Sequence, residues 1–163
     1  MLDQLIKLVQ QNADDSIVKN QAVPNQFNSA AIQDVAAQIM NGLQGQASQG
    51  NVQQIAGMFK GGGGSLANNP MVSQIISSIT GNLASKFGVS PQAAAGIANS
   101  LIPTVLNQFV NKTNDPHDND FDLQDVLKNV TGKSNVGDML SQFTGGSSKQ
   151  GAGVADALGS LFK

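Results

Sequence analysis

The side chains with the most chemistry to offer stand in one run, "NKTNDPHDNDFDLQDVLKNV", residues 111 to 130, which holds the only histidine, His117, and five aspartates between Asp115 and Asp125. Crowded carboxylates are the raw material of a hard-cation site, because calcium takes roughly six to eight oxygen ligands. Asp118, Asp120 and Asp122 fill the first three ligand positions of the calcium-loop pattern D-x-[DN]-x-[DN]-G-x5-E. The match then fails, since Leu123 stands where the turn glycine belongs and Asn129 where the bidentate glutamate belongs. Starting at Asp115 puts His117 third and Val126 twelfth, which is worse. A competing account needs no ligand. Asp122 caps a helix beginning at Leu123, Asp125 meets the positive end of its dipole, and Phe121 staples onto Val126. The capped, solvated loop is therefore the leading reading, and a weak divalent-cation site on Asp115, Asp118, Asp120 and Asp122 is the alternative.

Other chemistries find less support. Acid/base work by aspartates alone requires burial and pairing in a pocket, whereas these carboxylates crowd a polar stretch. A facial metal triad needs a second histidine, and thiolate chemistry needs a cysteine; the chain has neither. "KGGGGS", residues 60 to 65, reads as a linker, because a phosphate loop has a strand before it and lysine with serine or threonine after it. Gly132-Lys133-Ser134 fails too, since the first glycine of a G-x4-G-K-S motif would be Leu127. No catalytic residue and no cofactor are expected, and the chain is read as non-enzymatic.

Composition narrows the partners. Charged residues are 12%, about half the usual share, and every acid is aspartate and every base lysine. With a formal net charge of -2, no arginine, no tryptophan and no tyrosine, nucleic-acid binding lacks its physical basis. Surfaces of glutamine, asparagine, serine and alanine repel one another weakly, so a protein partner or a second copy of the chain is the expected contact. No apolar run approaches the roughly 18 residues of a membrane span, and the first residues do not read as a secretion signal. A cytoplasmic location is expected on that ground.

The elements that must position these residues are helices. Apolar spacing of three and four dominates, with no sustained alternation, which predicts an all-α helical bundle. Residues 1–27 are expected to form short helices, with Leu2, Leu5, Ile6 and Val9 as a stripe. Residues 28–131 form the bundle core, entered through a cap at Asn28 or Ser29 and loosened at Gly42, Gly45 and Gly50. Asn51 and Gln54 have capping-box spacing. The centre, 70–110, is an antiparallel hairpin: Asn69-Pro70 and Ser90-Pro91 both read as cap-proline entries, and only Gly88, Val89 and Ser90 separate the two helices. Gly81 and Pro103 fall at equivalent places under a shift of 22 residues and suggest a shared bend. Residues 132–163 are a glycine-rich segment with short amphipathic pieces at Val136 to Phe143 and Val154 to Phe162 that need something to dock on.

Residues 83 to 132 carry an ordered set of features: a helix closing on Phe87-Gly88-Val89-Ser90, an alanine-rich entry at Gln92 to Ala95, "LIPTVLNQF" with its internal proline, a polar gap, then "FDLQDVL" and a glycine stop. In this order the chain resembles the bacterial family known as domain of unknown function 937, with its YidB-like relatives. The resemblance implies a helical bundle and a bacterial protein. It implies no biochemistry and no site residues, because the shared motifs are packing and capping motifs.

Overall fold

The computed structural model describes residues 1–61 and 66–132. Among these residues every regular element is helical and there is no strand, so the fold is all-α as expected. The amphipathic pieces at Val136 to Phe143 and Val154 to Phe162, and residues 62 to 65 of the linker, lie outside the described residues.

Local chemistry sets the central hairpin. Asn69 Oδ1 accepts the Met71 N–H at 2.9 Å and Pro70 opens α4 (Pro70–Phe87), where its missing donor costs nothing. Gly88 ends it in the left-handed conformation at φ +65°, which glycine adopts without steric penalty. Ser90 then caps α5 (Pro91–Thr113), its Oγ accepting from Ala93 N at 3.3 Å. So short a connection forces the helices antiparallel, and they share the largest helix interface of the described residues. Val72, Ile75, Ile79 and Leu83 are buried on one helix and Ile97, Leu101, Val105 and Phe109 on the other. Pro103 does not stop α5, which runs on to Thr113. The carbonyl that loses its donor is that of Asn99, an exposed residue that water can serve.

The remaining elements wrap this hairpin. In α1 (Leu2–Asn12) the buried residues are Leu5, Leu8 and Val9, so Leu8 takes the inward place expected of Leu2, which is 41% exposed in the first turn. α1 packs on α5 and on α2 (Asn28–Ser48), and Leu5, Val9, Ile17 and Val23 join the same buried cluster as the hairpin. The first 27 residues are therefore part of the same core and not a separate appendage.

Three further local expectations differ in the structure. Neither Asn28 nor Ser29 caps α2: a 3-10 turn, Asn25–Phe27, flows into it, with Phe27 N already bonded to Pro24 O at 2.8 Å. α3 (Val52–Lys60) begins after Asn51 without a capping box, because the Asn51 amide donates to Gln46 Oε1 at 2.7 Å and Gln46 in turn to Gln74. A side-chain amide chain across α2 and α4 has outcompeted the local cap. Finally, Gly42 and Gly45 do not loosen α2, which continues through both to Ser48.

Gly42 is instead a point of close approach. A Cβ placed there would lie 2.6 Å from Ile75 Cγ1 on α4, whereas a Cβ at Gly45 would meet nothing within 4 Å. Both sites would gain about 1 kcal/mol of helix propensity from alanine, but only Gly42 would incur the roughly 1–3 kcal/mol of overpacking. Gly45→Ala is expected to raise the urea midpoint and Gly42→Ala to lower it, by about 1 kcal/mol each way. Equal shifts in urea unfolding would show that α2 and α4 are not in contact here.

Candidate functional site

The acidic run becomes the loop between α5 and α6 (Leu123–Thr131). Its two ends are fixed by the core. At the entry, Asn114 Nδ2 donates to Val110 O at 2.9 Å and also to Phe59 O, joining the end of α5 to the end of α3. At the exit, Phe121 is 5% exposed and its ring stands edge-on to Phe109 at a centroid distance of 5.4 Å. Phe109 stands in the same way to Phe59 at 5.2 Å, so three rings make a row linking α3, α5 and the loop. The phenylalanine expected to staple onto Val126 thus finds an aromatic partner on another helix.

Along the loop, the side chains of Asp115, Asp118 and Asp122 are already engaged with its backbone. Asp115 Oδ1 accepts the His117 N–H at 2.9 Å, and Asp118 Oδ1 accepts the Asp120 N–H at 3.1 Å. Asp118 Oδ2 pairs with Lys112 Nζ at 3.0 Å, and that ammonium also lies 5.8 Å from the Phe121 ring centroid. Asp122 Oδ1 accepts from Gln124 N at 2.7 Å, the cap expected from sequence, and Asp125 sits in the first turn of α6. Gly132 closes that helix at φ +64°.

The four aspartates named for a cation are therefore neighbours in sequence but not a converging ligand set. Among the described residues, no three acidic or histidine side chains form a group that could hold a metal ion. Asp115, His117, Asp118, Asn119 and Asp120 instead line a shallow depression of about 400 Å³ that is open to solvent. Nothing in it excludes water.

Sequence reasoning passed over Asp34. Its side chain is only 12% exposed, with one oxygen held by Lys86 of α4 and Oδ2 left without a hydrogen bond. Its place between Ile32 and Val35, one step off the inward stripe, was the only signal. Phe27 and Phe87 pack 5.9 Å apart and join α4 to the turn that leads into α2. Paired with lysine, the Asp34 carboxylate ties α2 to α4. A further charged cluster lies at the exposed turn Asp14–Val18. There the Asp14 and Asp15 carboxylates, both hydrogen-bonded to Lys19, raise its ammonium pKa above the usual lysine value. The stabilisation from that charged form is complete below lysine's ordinary range and fades as pH climbs through the raised value.

The loop's order thus depends on its aromatic anchor and not on its charges. Phe121→Ala should cost about 3 kcal/mol in urea unfolding, whereas Asp120→Asn, which removes an exposed charge, should stay within about 0.5 kcal/mol. Calcium in millimolar excess should leave the melting temperature unmoved, and a calcium-dependent rise would restore the cation reading. No protein-family model, curated protein or solved structure matches this chain.

Proposed function

We propose that this protein works without catalysis, as a helical module that meets protein surfaces, first among them a second copy of itself. The observation that carries this reading is the outward face of the central hairpin. Ser73, Ser77, Gly81 and Ser85 recur every four residues along α4, all exposed and all small and uncharged. Ser77 Oγ donates to Ser73 O at 3.0 Å and Ser85 Oγ to Gly81 O at 2.8 Å, so these hydroxyls are turned back along their own helix. The space over Gly81 is open. On α5, Gly96, Asn99 and Thr104 are likewise exposed and without charge. A face of this kind lets another helix approach closely, and it loses little hydration because its hydroxyls are already bonded.

Low surface charge removes the electrostatic barrier that keeps most small proteins apart. Large apolar side chains contribute little outside, since only Leu2 and Val18 are strongly exposed among the described residues. Association is accordingly expected to be modest and reversible. The likeness of residues 83 to 132 to the bacterial family of unknown function 937 supports a helical module of bacterial type.

Sedimentation equilibrium of the full chain across a concentration series tests the proposal. Self-association should appear at high micromolar concentration, and Ser77→Lys with Ser85→Lys should weaken it by at least about tenfold, equivalent to about 1.4 kcal/mol. A strict monomer at every concentration, or association indifferent to both lysines, would overturn the role given to this face.

A further inference from the structure

The contact between Asp34 and Lys86 sits at an end of α2 whose polar groups are poorly served. Asn28 Oδ1 and Asp34 Oδ2 are the buried side-chain oxygens left without a hydrogen bond among the described residues, and both stand in the first two turns of that helix. No side chain caps this end either. A buried acceptor without a donor carries a desolvation cost that the rest of the element has to offset. The start of α2 is therefore held down by its neighbours against a cost of its own.

Two contacts from the end of α4 do the holding. The Phe87 ring packs on Phe27, with centroids 5.9 Å apart, and Lys86 Nζ meets Asp34 Oδ1 at 2.5 Å across 52 positions of sequence. The ion pair is unequal, for the carboxylate is 12% exposed and the lysine 53%. The buried partner needs the charge, and the exposed partner is the one that a reagent can reach. Loss of charge at Lys19 or Lys112 would be absorbed locally. Lys19 pairs with the exposed Asp14 and Asp15, which keep their water, and Lys112 pairs with Asp118, whose Oδ1 keeps the Asp120 N–H.

We infer that Lys86 is a modification-sensitive latch: its ammonium holds the first two turns of α2 against α4, and acylation of Nζ opens them. The deprotonated amine attacks the carbonyl carbon of an acyl thioester. The C–N bond forms, the C–S bond breaks, and the thiol leaves with the proton that the nitrogen gives up. The product is a neutral amide, which can no longer balance the charge on Asp34. With one oxygen buried and unbonded, that carboxylate is then stabilised only by reaching water, and it does so when α2 moves away from α4. Ala31, Ile32 and Val35, buried while the latch is closed, are uncovered with it.

The test is hydrogen exchange, followed by mass spectrometry, on the folded full chain carrying acetyllysine at position 86, beside the unmodified chain and a chain acetylated instead at the exposed Lys7. Amide exchange in residues 28 to 36 is expected to rise by at least about tenfold with the modification at 86, and to stay within about twofold of the unmodified chain with it at Lys7. Exchange in residues 97 to 110 of α5 should not change, which separates local opening from loss of the fold. Lys86→Arg, which keeps a cation but offers no amine to acylate, should leave α2 protected. Asp34→Asn in the chain acetylated at 86 should restore protection, because no buried charge then remains. Unchanged exchange in α2, an equal rise when Lys7 is the acetylated residue, a rise shared by α5, or opening that persists after Asp34→Asn overturns the inference.

Discussion

The three residues between α4 and α5 constrain everything else in this fold. Gly88, Val89 and Ser90 leave no room for any arrangement but an antiparallel return, with glycine supplying the left-handed step and serine the next cap. Val89 is itself 2% exposed, so the connection is part of the core and not only a strap over it. Once the two stripes face each other, α1, α2 and α3 can bury their apolar faces only against that seam or against one another. Short helices such as α3 and α6 are too brief to persist alone and owe their existence to this docking. Phe109 carries the constraint furthest, because its ring contacts Phe59 on one side and Phe121 on the other. The end of α5, the end of α3 and the acidic loop are thereby located by a single side chain.

That dependence explains what was legible in the sequence. Cap-proline entries at Asn69-Pro70 and Ser90-Pro91, the glycine stops at Gly88 and Gly132, and the Asp122 cap are all decided within a few residues of backbone, and they appear as read. The expectations that differed are those settled by a distant partner. Asn51 has the spacing of a capping box but gives its amide to Gln46. Gly42 resembles a helix weakener in sequence, yet it sits where Ile75 of α4 leaves no space for a methyl group. Leu8 replaces Leu2 on the buried face because the first turn of α1 is solvated. In each case local pattern and tertiary contact competed, and burial decided the outcome.

The acidic loop shows the same division more sharply. Its charge density was plain from composition, and so was its poor fit to calcium geometry. What the sequence could not show is where each carboxylate points, and the answer is that Asp115, Asp118 and Asp122 all accept backbone N–H groups two residues on. Aspartate satisfies turn backbones in this way because its side chain is one bond too short to reach further. The run is thus built of successive turns. In each of these three carboxylates Oδ1 is engaged by the backbone of its own turn, so density of charge here goes with density of turns.

The same inward turning of polar groups extends over the helices and bears on how the molecule meets others. Ser48, Ser77, Thr80, Asn82, Ser85, Thr104 and Asn129 all donate to the carbonyl four residues back. A surface whose hydroxyls and amides are occupied in this manner offers few directed donors to a ligand, and with so few charges it offers little long-range steering. Recognition by such a surface has to come from shape and from the low penalty of removing water that was weakly held. These are properties of contact between extended faces and not of a pocket that grips a small molecule.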